Sequence, residues 1–286
     1  MMNQLKTILL LGGMSALLIA VGGAFGRGSL LLAVGVALVM NLGSYFFSDK
    51  LVLAMNRARE LSPAEAPSLH RMVAELAVRA GIPKPRLFVT DEVQPNAFAT
   101  GRNPSHGVVA VTRGLLELLD EEELRGVLAH EVSHIAHRDI LVASVAAAMA
   151  SAISMLANMV RWAAIFGGSR RDEEEGGGGV LGALAFSLLA PLGALLVQMA
   201  ISRSREFLAD EGAAKLTGDP RGLARALLKL QRGAQSLDFG GEAATASLYI
   251  VNPFSGLGGI RELFSTHPST QARIDRLMAM TPHRYS

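Results

Sequence analysis

The chain of 286 residues contains no cysteine. That excludes disulfides and thiolate metal ligands, and it restricts any metal site to histidine, aspartate and glutamate. Charge is also scarce: 18% of residues are charged, and the net charge is only +2. No block of basic residues with interleaved aromatics occurs, so nucleic acid is not an expected partner. Charge is missing altogether from four runs, residues 7–26, 28–48, 140–160 and 176–202. A helix rises about 1.5 Å per residue, so roughly 20 apolar residues cross a hydrocarbon core about 30 Å thick. Half of the chain is hydrophobic, more than an ordinary soluble domain carries. The four runs therefore predict four transmembrane helices. A cleaved signal is the alternative for the first, which follows Lys6, but Arg27 leads directly into a second run. A hairpin with its tip at Gly26-Arg27-Gly28 fits better.

These spans divide the chain. Residues 1–48 form an N-terminal transmembrane hairpin. Residues 49–138 and 203–286 are polar enough to build one soluble domain in two parts. Residues 139–202 form a second transmembrane hairpin inserted between them, with a low-complexity loop at 167–179. Lys6, Lys50, Arg57, Arg59, Arg138, Arg203 and Arg205 flank the spans on the domain's side, against Arg27, Arg161, Arg170 and Arg171 on the other. That bias places the domain and both termini in the cytosol.

Within the domain, Ser62 to Ala80 reads as a helix, with Ser62 and Glu65 as a capping box. Arg86–Thr90 and Gly107–Thr112 read as strands, and Asn96–Thr100 as a short edge strand. Asp120 caps the next helix, with Glu123 at the capping-box position. Further helices start at Asp219-Pro220 and His267-Pro268. Residues 235–265, rich in glycine and alanine, suit a mobile flap.

What the chain does have is the run His130-Glu131-Val132-Ser133-His134. On a helix, positions i and i+4 share a face, so both imidazoles reach one metal ion, with Glu131 beside it. A catalytic zinc needs a third ligand and one open position for water. That ligand must be a His, Asp or Glu brought close by the fold, and Glu206, just after the fourth span, is the best candidate. Asp210, one turn later, is placed to accept a hydrogen bond from a ligand imidazole. Asp139 caps the third span, with support of a ligand histidine as the alternative role. His137 points away and suits a surface or interface.

HEVSHIAHRD at 130–139, SREFLAD at 204–210, NAFATG at 96–101 and HPS at 267–269 together resemble the HtpX family of membrane metallopeptidases, relatives of the CAAX prenyl protease. The likeness covers most of the chain. It implies an α+β, mainly helical fold: four transmembrane helices with a gluzincin-like zinc peptidase domain carrying a small β-sheet. It implies one zinc ion held by His130, His134 and Glu206, with Glu131 as the catalytic carboxylate. It also implies a bacterial inner-membrane location, protein or peptide substrates, and a part in membrane protein quality control. His267 is then the catalytic donor to the oxygen of the tetrahedral intermediate, where the residue alone reads as a helix boundary. Asn96 is then a substrate-binding residue on an edge strand to which a peptide adds, where Asn-Ala alone reads as a turn.

The implied reaction is hydrolysis of peptide bonds by water, with Glu131 first as base and then as acid. The rival is a non-catalytic zinc-binding membrane chaperone or adaptor. It is disfavoured because structural zinc prefers four closed ligands, usually with cysteine. A transporter is disfavoured because the spans carry no ionisable residue. His134 and Glu206 lie within a few residues of the second hairpin's ends, so a metal bound there sits close to the membrane face.

Overall fold

A computed structural model of the chain describes residues 2–24, 27–147, 149, 203–236, 249–250 and 268–280. Two long helices come first, α1 (Met2–Ala24) and α2 (Arg27–Met55). They pair as a hairpin, and inside it Asn41 Nδ2 donates to Ser15 Oγ at 2.7 Å. Among the described residues, the stretch Leu30–Met55 is long and apolar enough to cross a membrane; α1 contributes the shorter apolar stretch Thr7–Ala16. Leu31, Leu32, Leu38, Val39, Phe46 and Phe47 of α2 are exposed, as lipid-facing side chains are. The third apolar run is helical over residues 140–147 and at 149. Its remainder, the fourth run and loop 167–179 lie outside the described residues.

The domain holds a small mixed sheet in the order β1-β2-β4-β3, made of β1 (Arg59–Glu60), β2 (Arg86–Thr90), β3 (Ala97–Thr100) and β4 (Val108–Thr112). β4 runs parallel to β2 and antiparallel to β3, so β3 is one edge and β1 the other. Side chains alternate across a strand, and here both faces are apolar. Leu87, Val89, Ala97, Ala99, Val109 and Val111 join the main core with Val127, Leu128, Val132 and Ile135. The opposite face, Phe88, Phe98, Val108 and Ala110, packs on Val52 and Leu53 of α2 and on Ala147. The sheet is thus a layer between the helices of the domain and the ends of the apolar helices. Its edge is tied to the latter by side chains: Thr100 Oγ1 lies 2.7 Å from Ser144 Oγ, and the Gly101 N–H donates to the same oxygen at 3.3 Å.

The other helices are α3 (Pro67–Arg79), α4 (Arg113–Leu118), α5 (Glu121–Ala136), α6 (Arg203–Thr217), α7 (Pro220–Ser236) and α8 (Thr270–Met278). The expected helix start at Ser62 is corrected. Ser62 and Glu65 do make the reciprocal bonds of a capping box, but they close a turn. Pro67 disfavours helical backbone at Ala66, whose φ of −141° and ψ of 66° are not helical, and the helix begins at the proline itself. The last helix begins at Thr270, capped by Ser269, rather than at His267-Pro268.

Candidate metal centre

The centre is built on α5. Asp120 and Glu123 form the expected capping box at its start. The helix is buried along most of its length, and Val127, Leu128, Val132 and Ile135 anchor it in the core. That leaves His130 and His134 on one face, their rings edge to face with centroids 4.7 Å apart. α6 lies close against this face at Gly212, where an added Cβ would stand 2.5 Å from Ser133 Oγ. The close approach brings in Glu206, in the first turn of α6.

His130, His134 and Glu206 form a group able to hold a metal ion, each offering an atom within 4.8 Å of the others. The two Nε2 atoms are 3.1 Å apart. Glu206 Oε2 is 3.6 Å from His130 Nε2, and Oε1 is 3.5 Å from His134 Nε2. Donors sharing one tetrahedral zinc at about 2.0–2.1 Å stand about 3.3–3.4 Å apart, so the spacing fits. The tautomers fit as well. His130 Nδ1 lies 3.0 Å from Asp210 Oδ1, and His134 Nδ1 lies 3.3 Å from Asp139 Oδ2. Each carboxylate is placed to accept a hydrogen bond from Nδ1–H, the tautomer that leaves a lone pair on Nε2. Two such lone pairs and a carboxylate aimed at one point repel each other unless a cation sits between them. The local field agrees. In the metal-free protein a proton takes the cation's place: burial disfavours a charged His130, but hydrogen bonds to Asp210 and Glu206 outweigh it and hold the ring's pKa up at about 9. The group attracts positive charge.

Glu131 is buried, and that burial raises its carboxyl pKa against the opposing fields of His130 and His134. Asp210 is buried too; Arg273 and His130 overcome the cost of burial and keep it ionised. Arg273, on α8, is a residue that motif reading overlooked. Its Nε and Nη2 fork onto Asp210 at 2.9 and 2.7 Å, and its Nη1 donates to the Ile250 carbonyl at 2.7 Å and lies 3.8 Å from Glu206. Its guanidinium is fully charged despite burial because Asp210 faces it. The sequence offers only the i and i+4 spacing of Arg273 and Leu277 on α8; the structure shows that both are buried on the core face.

Asn96 is buried at the entry to β3. Its Oδ1 accepts from the Ile250 N–H at 3.1 Å, and its own N–H donates to Thr112 Oγ1 at 2.9 Å. His267 lies outside the described residues, as does most of 235–265. From that stretch, Tyr249 and Ile250 are held firmly, with the Tyr249 hydroxyl on Glu92 at 2.9 Å. His137 is exposed at the end of α5, as expected.

Residues 63–281 match the model of peptidase family M48. The protease HtpX homolog of Ralstonia pickettii (strain 12J) is 51% identical over 284 residues, spanning 98% of this chain and 97% of its own. That of Pelotomaculum thermopropionicum is 51% identical over 280 residues, spanning 98% and 99%. The crystal structure of S. mikatae Ste24p matches with a TM-score of 0.51 at 20% identity, over 97% of this chain and 65% of that one. At that identity the likeness concerns the fold. The family match, the full-length relatives and the metal-ligand group agree: the chain is a membrane metalloprotease and belongs to peptidase family M48.

Proposed function

We propose that this chain is a zinc-dependent integral-membrane endopeptidase that uses one zinc ion held by His130, His134 and Glu206. The observation that carries the reading is the convergence of these donors, each histidine turned by its own carboxylate. A zinc ion held there would supply a water of near-neutral pKa and a positive charge to polarise the scissile carbonyl. Glu131 then takes the proton from the water and delivers it to the leaving amine. Asp210 keeps the His130 proton on Nδ1, and Arg273 keeps Asp210 ionised. His267 is the proposed donor to the oxygen that gains charge. The substrate adds along the β3 edge, with Asn96 Nδ2 as donor to a substrate carbonyl.

The soluble domain comprises 49–138 and 203–286, and the hairpins 1–48 and 139–202 cross the membrane as four helices. The support is the apolar character of all four runs and the exposed apolar surface of α2. The protein sits in the bacterial inner membrane, with its peptidase domain and both termini in the cytosol, the side favoured by the flanking basic residues. Membrane proteins cut next to the bilayer, as part of their quality control, are the proposed substrates. Purified protein should bind about one zinc per chain, and Glu206→Ala should lose most of it. Full zinc retention by Glu206→Ala would overturn the ligand set.

A further inference from the structure

α5 ends in a way that decides how His134 is held. Arg138 has φ +58°, the left-handed conformation that glycine usually supplies at a helix end. The Asp139 N–H donates to the His134 carbonyl at 3.0 Å, and the Arg138 N–H donates to the Ile135 carbonyl at 3.1 Å. These are the paired bonds of a Schellman motif. A non-glycine residue in this conformation costs about 1–2 kcal/mol. The turn folds the chain back so that Asp139 meets His134 twice, through its main chain at the carbonyl and through Oδ2 at Nδ1, 3.3 Å away. Asp139 is buried, and the helix of residues 140–147 starts from it. Its other oxygen faces Arg205 Nη1 at 4.0 Å, a Coulombic contact too long for a hydrogen bond. Arg205 stands in the first turn of α6, beside Glu206. The two chain ends that bracket residues 140–202 therefore meet at one metal-facing histidine.

We propose that Asp139 is a positioning residue of the metal centre, fixing the ring and tautomer of His134 and tying that ligand to the start of the apolar helix at 140. The inference rests on the zinc reading above. It makes the two histidines equivalent in design: Asp210 backed by Arg273 holds one, and Asp139 facing Arg205 holds the other.

The alternative is that Asp139 only starts a helix, a task that serine performs equally well. The test is the zinc dissociation constant of purified full-length protein in detergent, measured by competition with a chromophoric chelator. Asp139→Ser should weaken zinc binding by about 10–100-fold and leave the melting temperature of the metal-free protein near the wild-type value. Asp139→Asn keeps the shape and one acceptor and should weaken binding by less. Arg138→Gly preserves the left-handed turn and should leave affinity unchanged. Wild-type affinity in Asp139→Ser would overturn the proposal. If that variant does not fold, Asp139→Asn decides, and unchanged affinity there overturns it as well. Failure of the wild-type protein to bind zinc would instead strike the proposed function.

Discussion

At the residue scale, the metal centre is a problem of charge burial. His130, Glu131, Glu206, Asp210 and Arg273 are all buried, and groups of this kind persist only when each has a partner. Arg273 is the one cation among them outside the imidazoles. Removing it leaves Asp210 buried without its ion pair, and loss of one member of such a pair costs about 3–5 kcal/mol. Arg273→Met should therefore lower the stability of the metal-free protein by about that amount, measured by chemical denaturation. It should also weaken zinc binding, because Asp210 no longer holds His130 firmly. A stable Arg273→Met protein with wild-type zinc affinity would show that Asp210 needs no counter-charge. The pair His130 and His134 was legible from its helical spacing, whereas Glu206, which the fold brings beside them, was legible only through the motif around it. Arg273 was not, because its partner Asp210 lies 63 positions away, and an arginine on a short amphipathic helix looks like a solvated one.

At the scale of elements, close helix contact sets the ligand geometry. α7 crosses α5 at Gly126, where an added Cβ would stand 2.6 Å from the Leu223 backbone nitrogen. Backbone cannot rotate away as a side chain can. Gly126→Ala should thus push α7 outward and destabilise the domain by about 1–3 kcal/mol, the usual cost of overpacking; a denaturant midpoint unchanged from wild type would contradict this. The turn before α3 has its own signature. The Ser62 N–H and hydroxyl, with Arg59, hold the exposed Glu65 carboxylate down to a pKa of about 2. A depressed carboxylate contributes stability above its ordinary pKa and loses it as pH falls through the depressed value. An NMR titration of Glu65 should therefore place its midpoint near 2, and Ser62→Ala, which removes the hydroxyl but keeps the N–H and Arg59, should raise it only part of the way towards 4.5. Strands β2 and β4 were readable from their apolar runs, and α5 from its cap. The start of α3 was misplaced because a capping-box pattern also closes a turn, and Pro67 decides which of the two forms. The short strand β1 and α4 had too few residues to show a period.

At the scale of the molecule, the sheet is the junction. One face packs against the helix that carries both histidines, and the other packs against Val52, Leu53 and Ala147 of the apolar helices. The edge strand proposed to receive substrate is bonded through Thr100 to Ser144 of the same apolar region. On the proposed four-helix topology, a centre built this way stands next to the bilayer. Cleavage sites mapped in a reconstituted membrane substrate should accordingly fall in segments flanking its spans; sites confined to distant soluble domains would contradict this placement. The four apolar runs were visible at once as composition, whereas the sheet's second apolar face became meaningful only when paired with the helices that cover it. The account as a whole depends on one carboxylate beside a bound metal. The most direct measurement is peptide-bond cleavage by purified Glu131→Gln protein whose zinc content has been measured in the same sample. Zinc retained at the wild-type level with proteolysis abolished is the predicted result. Cleavage at the wild-type rate would contradict it.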